Sequence, residues 1–178
     1  MAEKKYDVSE VLISREALAE RIAQLGAQIT EDYKDKDLLM VGILKGSVPF
    51  MADLMRAVDL DLEIDFMSVS SYGGATTTSG VVNILKDLDS DIEGKDVLIV
   101  EDIIDSGLTL SYLTRYLINR RPASIKIATM LDKPSRRKVD LKPDYCCFEV
   151  EDKFIVGVGL DIDQKYRNLP YISWVKEE

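Results

Sequence analysis

Short apolar runs alternate with helix-period segments along most of this chain, and that alternation leaves few folds open to it. Residues 37–44, DLLMVGIL, and 96–101, DVLIVE, are continuous apolar runs of the kind buried on both faces of a parallel sheet. Residues 62–70, LEIDFMSVS, alternate, and 124–132, SIKIATMLD, form a further strand. Ser14 is a candidate N-cap, and Leu18, Ile22, Leu25 and Ile29 repeat behind it at helical spacing, which predicts a helix over 14–34. Pro49 at a first-turn position predicts a second helix through about residue 57. Leu110, Leu113, Tyr116 and Leu117 predict a third, from Gly107 to about 119. The pattern specifies an α/β fold with a parallel sheet flanked by helices. VVNIL, 81–85, is a candidate short strand, and YCCFEV, 145–150, and FIVGVGL, 154–160, are two more with no helix between them, so the C-terminal part departs from simple alternation. The 178 residues suit a single domain, without internal repeat or linker.

Charge and composition remove several functions. The net charge of −9 argues against a nucleic-acid binder, which usually presents a basic face. No apolar run approaches the roughly 20 residues needed to span a membrane, and the opening MAEKKYDVSE has no apolar core of a secretory signal. The only cysteines, Cys146 and Cys147, are adjacent, which disfavours a disulfide and predicts reduced thiols in a cytoplasmic protein. With no histidine, a Ser-His or Cys-His nucleophile is impossible, and a general base must be a carboxylate, Lys, Tyr or Cys.

Ligands of open α/β sheets bind beyond the carboxyl ends of the strands. Here those ends carry Lys45-Gly46, the small-residue loop SSYGGATTTSG at 70–80, Asp102–Thr109, Lys133 and Asp161. The richest is VLIVEDIIDSGLTL, 97–110. An apolar strand ends in Glu101 and Asp102, Asp105 opens a Ser106-Gly107 turn, and the turn runs through Leu108 and Thr109 into a helix. Backbone N–H groups at a helix start, with the Ser106 and Thr109 hydroxyls, make a phosphate cradle, and Gly107 allows close approach. Acids before such a cradle would repel a bare phosphate. They suit a ligand that also offers hydroxyls or a bound cation. A plain strand–turn–helix with Asp105 as N-cap would account for any one of these acids, but not for all of them beside Ser, Gly and Thr.

This segment resembles the 5-phosphoribosyl-1-diphosphate (PRPP) motif of the type I phosphoribosyltransferases, and more narrowly of their bacterial hypoxanthine(-guanine) members. The resemblance extends over nearly the whole chain, from Leu44-Lys45-Gly46 to Arg167. It implies a parallel sheet flanked by helices, with a small hood built from terminal segments. It also implies a Mg²⁺-dependent transfer of the phosphoribosyl group from PRPP to a 6-oxopurine, hypoxanthine or guanine, in a homodimer or homotetramer.

Position by position, the resemblance implies that Glu101 and Asp102 face the ribose hydroxyls and Mg²⁺, and that Asp105 is the general base near purine N7. Asp105, Ser106, Gly107, Leu108 and Thr109 would hold the 5′-phosphate. Lys45, after a cis peptide, and Gly46 would meet pyrophosphate, as would Arg167. Ser71 and Tyr72 would belong to a closing lid. Lys133 would donate to purine O6, Phe154 would stack on the base, Ile155 would offer its backbone, and Asp161 would hold a second Mg²⁺. Taken singly, several of these have plainer readings. Lys133 begins a basic stretch with Arg136, Arg137, Lys138 and Lys142 that is more often a solvated face, and Phe154 is more often core.

Two other readings fit less well. An RNA-binding regulator on the same fold calls for a basic surface, and a DNA-binding repressor needs more than the 13 residues before Ser14. A flavodoxin-like or dinucleotide-binding module calls for Gly-x-Gly-x-x-Gly after the first strand, and none is present.

Overall fold

The computed structural model describes residues 6–71 and 82–177. Its centre is a six-stranded sheet in the order β4-β3-β2-β5-β6-β7. Strands β2 (Leu38–Leu44), β3 (Glu63–Ser71), β5 (Asp96–Ile104), β6 (Ser124–Asp132) and β7 (Tyr145–Glu149) run parallel, and β4 (Val82–Lys86) is an antiparallel edge.

The apolar runs are buried on both faces, and each face has its own helices. Met40, Leu98 and Val100 face α1 (Arg15–Asp32) and α2 (Val48–Ala57), where Leu25, Ile29, Phe50 and Leu54 close one core. Leu39, Val41, Val97 and Ile99 point the other way, onto Leu110, Leu113 and Leu117 of α3 (Leu108–Ile118). Each of these buried side chains contributes roughly 1.5–3 kcal/mol of transfer free energy, which fixes the strand order and therefore the edge at which the strands end. Ser14 caps α1 as expected, accepting a hydrogen bond from the Ala17 N–H.

Both chain ends form a second, three-stranded sheet in the order β1-β9-β8, from β1 (Tyr6–Ile13), β8 (Ile155–Val156) and β9 (Ile172–Glu177). This is the hood, and its strands β1 and β9 were not foreseen from periodicity. The expected strand over 154–160 is corrected: only Ile155 and Val156 pair with β9, because Gly157, Val158 and Gly159 take φ of 106°, 45° and 99°, which no strand accommodates. That segment therefore belongs to the hood and not to the parallel sheet. β5 is longer than expected, continuing past Glu101 to Ile104, so Glu101 and Asp102 lie within the strand. β6 and β7 are joined by a loop with one 3₁₀ turn (Pro134–Arg136) instead of a helix. Among the described residues no helix is long and apolar enough to cross a membrane.

Candidate active site

The end of β5 and the start of α3 build the centre of the site. Gly107 is the N-cap of α3 at φ 77°, a left-handed conformation that glycine adopts freely, and no side chain caps the helix. Asp105 is thus not the N-cap. Among the described residues, the backbone N–H groups of Asp105, Ser106, Gly107 and Thr109 have no acceptor, and that of Leu108 meets only the Ser106 hydroxyl, 3.3 Å away. A row of unsatisfied donors at a helix start is an anion site both by its dipole and by its hydrogen-bonding need.

A second wall comes from β2 and the hood. The Leu44–Lys45 peptide is cis. A Cβ on Gly46 would overlap Oδ2 of Asp102, and one on Gly159 would overlap the Gly46 carbonyl, so three segments touch here through glycine. Arg167 fastens the hood side. Its Nη1 donates to the Gly159 carbonyl at 2.6 Å, and its Nη2 lies 2.9 Å from Asp161 Oδ1. The Nε of Arg167 is buried and has no partner among the described residues, an unsatisfied cationic donor.

The third wall follows β6. Lys133 is only 7% exposed, donates to the Lys153 carbonyl at 2.7 Å, and lies 3.8 Å from Asp105 and 4.0 Å from Asp152. Next to it Phe154 leaves 59% of its surface open, so its ring is not core. Ile155 is buried in β8. The strand ends thus gather free N–H donors, the carboxylates of Asp102, Asp105 and Asp161 and the cations Lys133 and Arg167, with the Phe154 ring exposed next to Lys153, whose carbonyl holds Lys133. Ser71 ends β3 opposite Val82, and Tyr72 lies outside the described residues.

Electrostatics single out Glu101 and Asp102. Burial, then the neighbouring Asp102 carboxylate, pushes Glu101 well above the usual carboxylate range. Burial also raises Asp102, although hydrogen bonds and the Arg167 charge pull the other way. Two such carboxylates held side by side fit a small hard cation completed by ligand oxygens, since Mg²⁺ is usually held by one or two carboxylates plus substrate oxygens and water. Asp161 stands apart from them in its pairing with Arg167, and among the described residues no group of three or more acids, cysteines or histidines could hold a metal by itself. The cysteines take no part: burial pushes the thiols of Cys146 and Cys147 up to about 11 and about 12, so neither is a thiolate nucleophile near neutral pH.

The family model of the phosphoribosyl transferase domain matches residues 9–163. The chain belongs to that family. Among its relatives, the hypoxanthine-guanine phosphoribosyltransferase of Bacillus subtilis is 56% identical over 97% of this chain and 96% of its own length. That of Streptococcus thermophilus is 53% identical over 97% and 96%. A crystal structure of a hypoxanthine phosphoribosyltransferase from Staphylococcus aureus superposes with a TM-score of 0.93 at 51% identity, covering 96% of this chain and 92% of that one.

Within this phosphoribosyl transferase frame, one part of the site was not foreseen. Of the basic stretch after Lys133, Arg136 is a solvated side chain, but Arg137 is 13% exposed and turned inward, against the expectation of a solvated face. It pairs with Asp132 and donates to the Asp105 carbonyl at 2.7 Å. The available signal was its place just after the strand-end residues Asp132 and Lys133, at the carboxyl edge of the sheet.

Proposed function

We propose that this chain transfers the phosphoribosyl group from PRPP to a 6-oxopurine, releasing the nucleoside monophosphate and pyrophosphate, as a step of purine salvage. The free N–H groups of Asp105, Ser106, Gly107 and Thr109, with Glu101 and Asp102 shortly before them, carry the reading. A phosphate alone would be repelled by those acids. A phosphate joined to a ribose meets the donors with one end and the acids with its hydroxyls.

The remaining residues follow that placement. Lys133 is the donor to purine O6, Phe154 stacks on the base, and Ile155 offers its backbone to the purine edge. Lys45, Gly46 and Arg167 meet pyrophosphate; Arg167 must exchange its Asp161 partner to do so. The purine attacks ribose C1′ through N9 as the C1′–O bond to pyrophosphate breaks, and the proton on N7 passes to Asp105. The base is Asp105, the residue the resemblance assigns, in a chain with no histidine to take the proton. Glu101 and Asp102 would hold Mg²⁺, with Asp161 beside a second ion. Mg²⁺ bound there would neutralise the pyrophosphate charge. Developing oxocarbenium character is quenched by water, and we assign Ser71, Tyr72 and the rest of 70–80 to its exclusion.

The whole chain serves as one catalytic domain, acting on small molecules in the cytoplasm as a homodimer or homotetramer. The free thiols of Cys146 and Cys147 suit that compartment. The test is steady-state pyrophosphate release with PRPP and each of hypoxanthine, guanine, xanthine and adenine. Release with at least one 6-oxopurine is expected, and no release with any purine would sink the reading.

A further inference from the structure

We infer that Arg137, held in place by Asp132, is the positioning residue of the phosphate loop. This rests on the reading above that residues 105–109 receive the 5′-phosphate.

Three consecutive carbonyls of the loop are fastened from one side by the segment after β6. Ile104 accepts from the Lys133 N–H at 3.0 Å and from Arg137 Nη1 at 3.3 Å. Asp105 accepts from the same Nη1 at 2.7 Å. Ser106 accepts from the Lys138 N–H at 2.9 Å. A trans peptide is planar, with its C=O and N–H on opposite sides. Fastening the carbonyls of Ile104, Asp105 and Ser106 therefore aims the N–H groups of Asp105, Ser106 and Gly107 the other way. Those are the donors that find no acceptor among the described residues.

Arg137 can do this because its charge is met from below. Asp132, 5% exposed at the end of β6, pairs with Nη2 and leaves Nη1 for the two carbonyls. The stem of Arg137 also underlies the turn: a Cβ at Gly107 would come within 3.1 Å of its Cδ. A planar guanidinium serves one carboxylate and two carbonyls at once, whereas a lysine ammonium is a shorter-reaching point charge that does not reproduce the fork.

Two variants separate positioning from folding. Arg137→Lys keeps a cation for Asp132. Arg137→Gln combined with Asp132→Asn removes both charges and leaves no buried ion unpaired. Both should melt cooperatively. Each should raise KM for PRPP by about 10-fold or more, with KM for the 6-oxopurine nearly unchanged, because misplacing a binding element by an ångström already costs on that scale. Titration with inorganic phosphate, followed by amide NMR, should shift the Ser106 and Gly107 N–H signals in the native protein and much less in the variants. Native-like KM for PRPP and native-like shifts in both variants would overturn the inference while leaving the phosphate site intact. So would unfolding of both variants, which would assign Arg137 a purely structural role. A native protein that shows neither PRPP turnover nor phosphate-induced shifts would overturn the functional reading itself.

Discussion

Lys133 Nζ stands 3.8 Å from Asp105 Oδ1, so the strand end after β6 and the turn after β5 present an ammonium and a carboxylate to the same space. The ammonium has three donors and gives one to the Lys153 carbonyl. What it has left suits an acceptor such as a purine 6-oxo group and is mismatched to a 6-amino group. The native protein should therefore favour hypoxanthine or guanine over adenine by at least about 100-fold in kcat/KM, since a site built to hydrogen-bond one group rejects its opposite strongly. Comparable values for adenine and hypoxanthine in competition assays would remove Lys133 from base recognition.

The acid pair gives the second expectation. Burial raises both Glu101 and Asp102, and the Asp102 carboxylate raises Glu101 further, a state that a divalent cation or ribose hydroxyls would relieve. Pyrophosphate release should stop in excess EDTA and return with Mg²⁺. Undiminished turnover in chelator would show that the pair serves ribose hydroxyls alone.

The middle of the central sheet was legible because β2 and the first half of β5 are buried on both faces. A run such as DLLMVGIL has no soluble face to confuse its reading, and its stop at Lys45-Gly46 marks the strand end. The strand–turn–helix junction at 101–109 was legible for a similar reason: acids, Ser, Gly and Thr compressed into so few residues have few other uses. The hood was not. Tyr6–Ile13 pairs with Ile172–Glu177 from the opposite end of the chain, and no local period announces such a partner. In the FIVGVGL stretch the two glycines were the overlooked sign, since left-handed φ at Gly157 and Gly159 ends the strand after two residues. Arg137 was hidden by composition, because a basic run on a polar loop reads as solvated until the buried Asp132 beneath it is seen.

Gly107 offers a test of the turn that does not depend on chemistry. At φ 77° an added Cβ would be strained, and it would also meet Val139 at 3.0 Å. Gly107→Ala should cost about 1–2 kcal/mol in thermal or urea unfolding, the usual penalty for a left-handed non-glycine residue. KM for PRPP should rise as the turn shifts. Unchanged stability and unchanged KM would mean that the turn can relax without moving its N–H groups.

Asp105 is the sharpest case, because the structure separates its two possible roles. As an N-cap it would be worth about 1 kcal/mol. The cap is Gly107, however, and the Asp105 carboxylate is half-exposed and faces Lys133 instead of the helix. Asp105→Asn should then fold with native stability to within about 0.5 kcal/mol, as substitutions at exposed sites usually do. Its amide cannot take the N7 proton, so kcat should fall by about 10²–10⁴, the ordinary contribution of a general base. PRPP binding, measured by calorimetry, should change little, since the N–H donors of the turn belong to the backbone. A loss near the low end would mark a dissociative transition state from which the proton departs late, where base assistance matters least. A wild-type kcat across the whole pH range would remove Asp105 from the reaction, and a joint fall in stability and kcat would return it to the architecture of the turn.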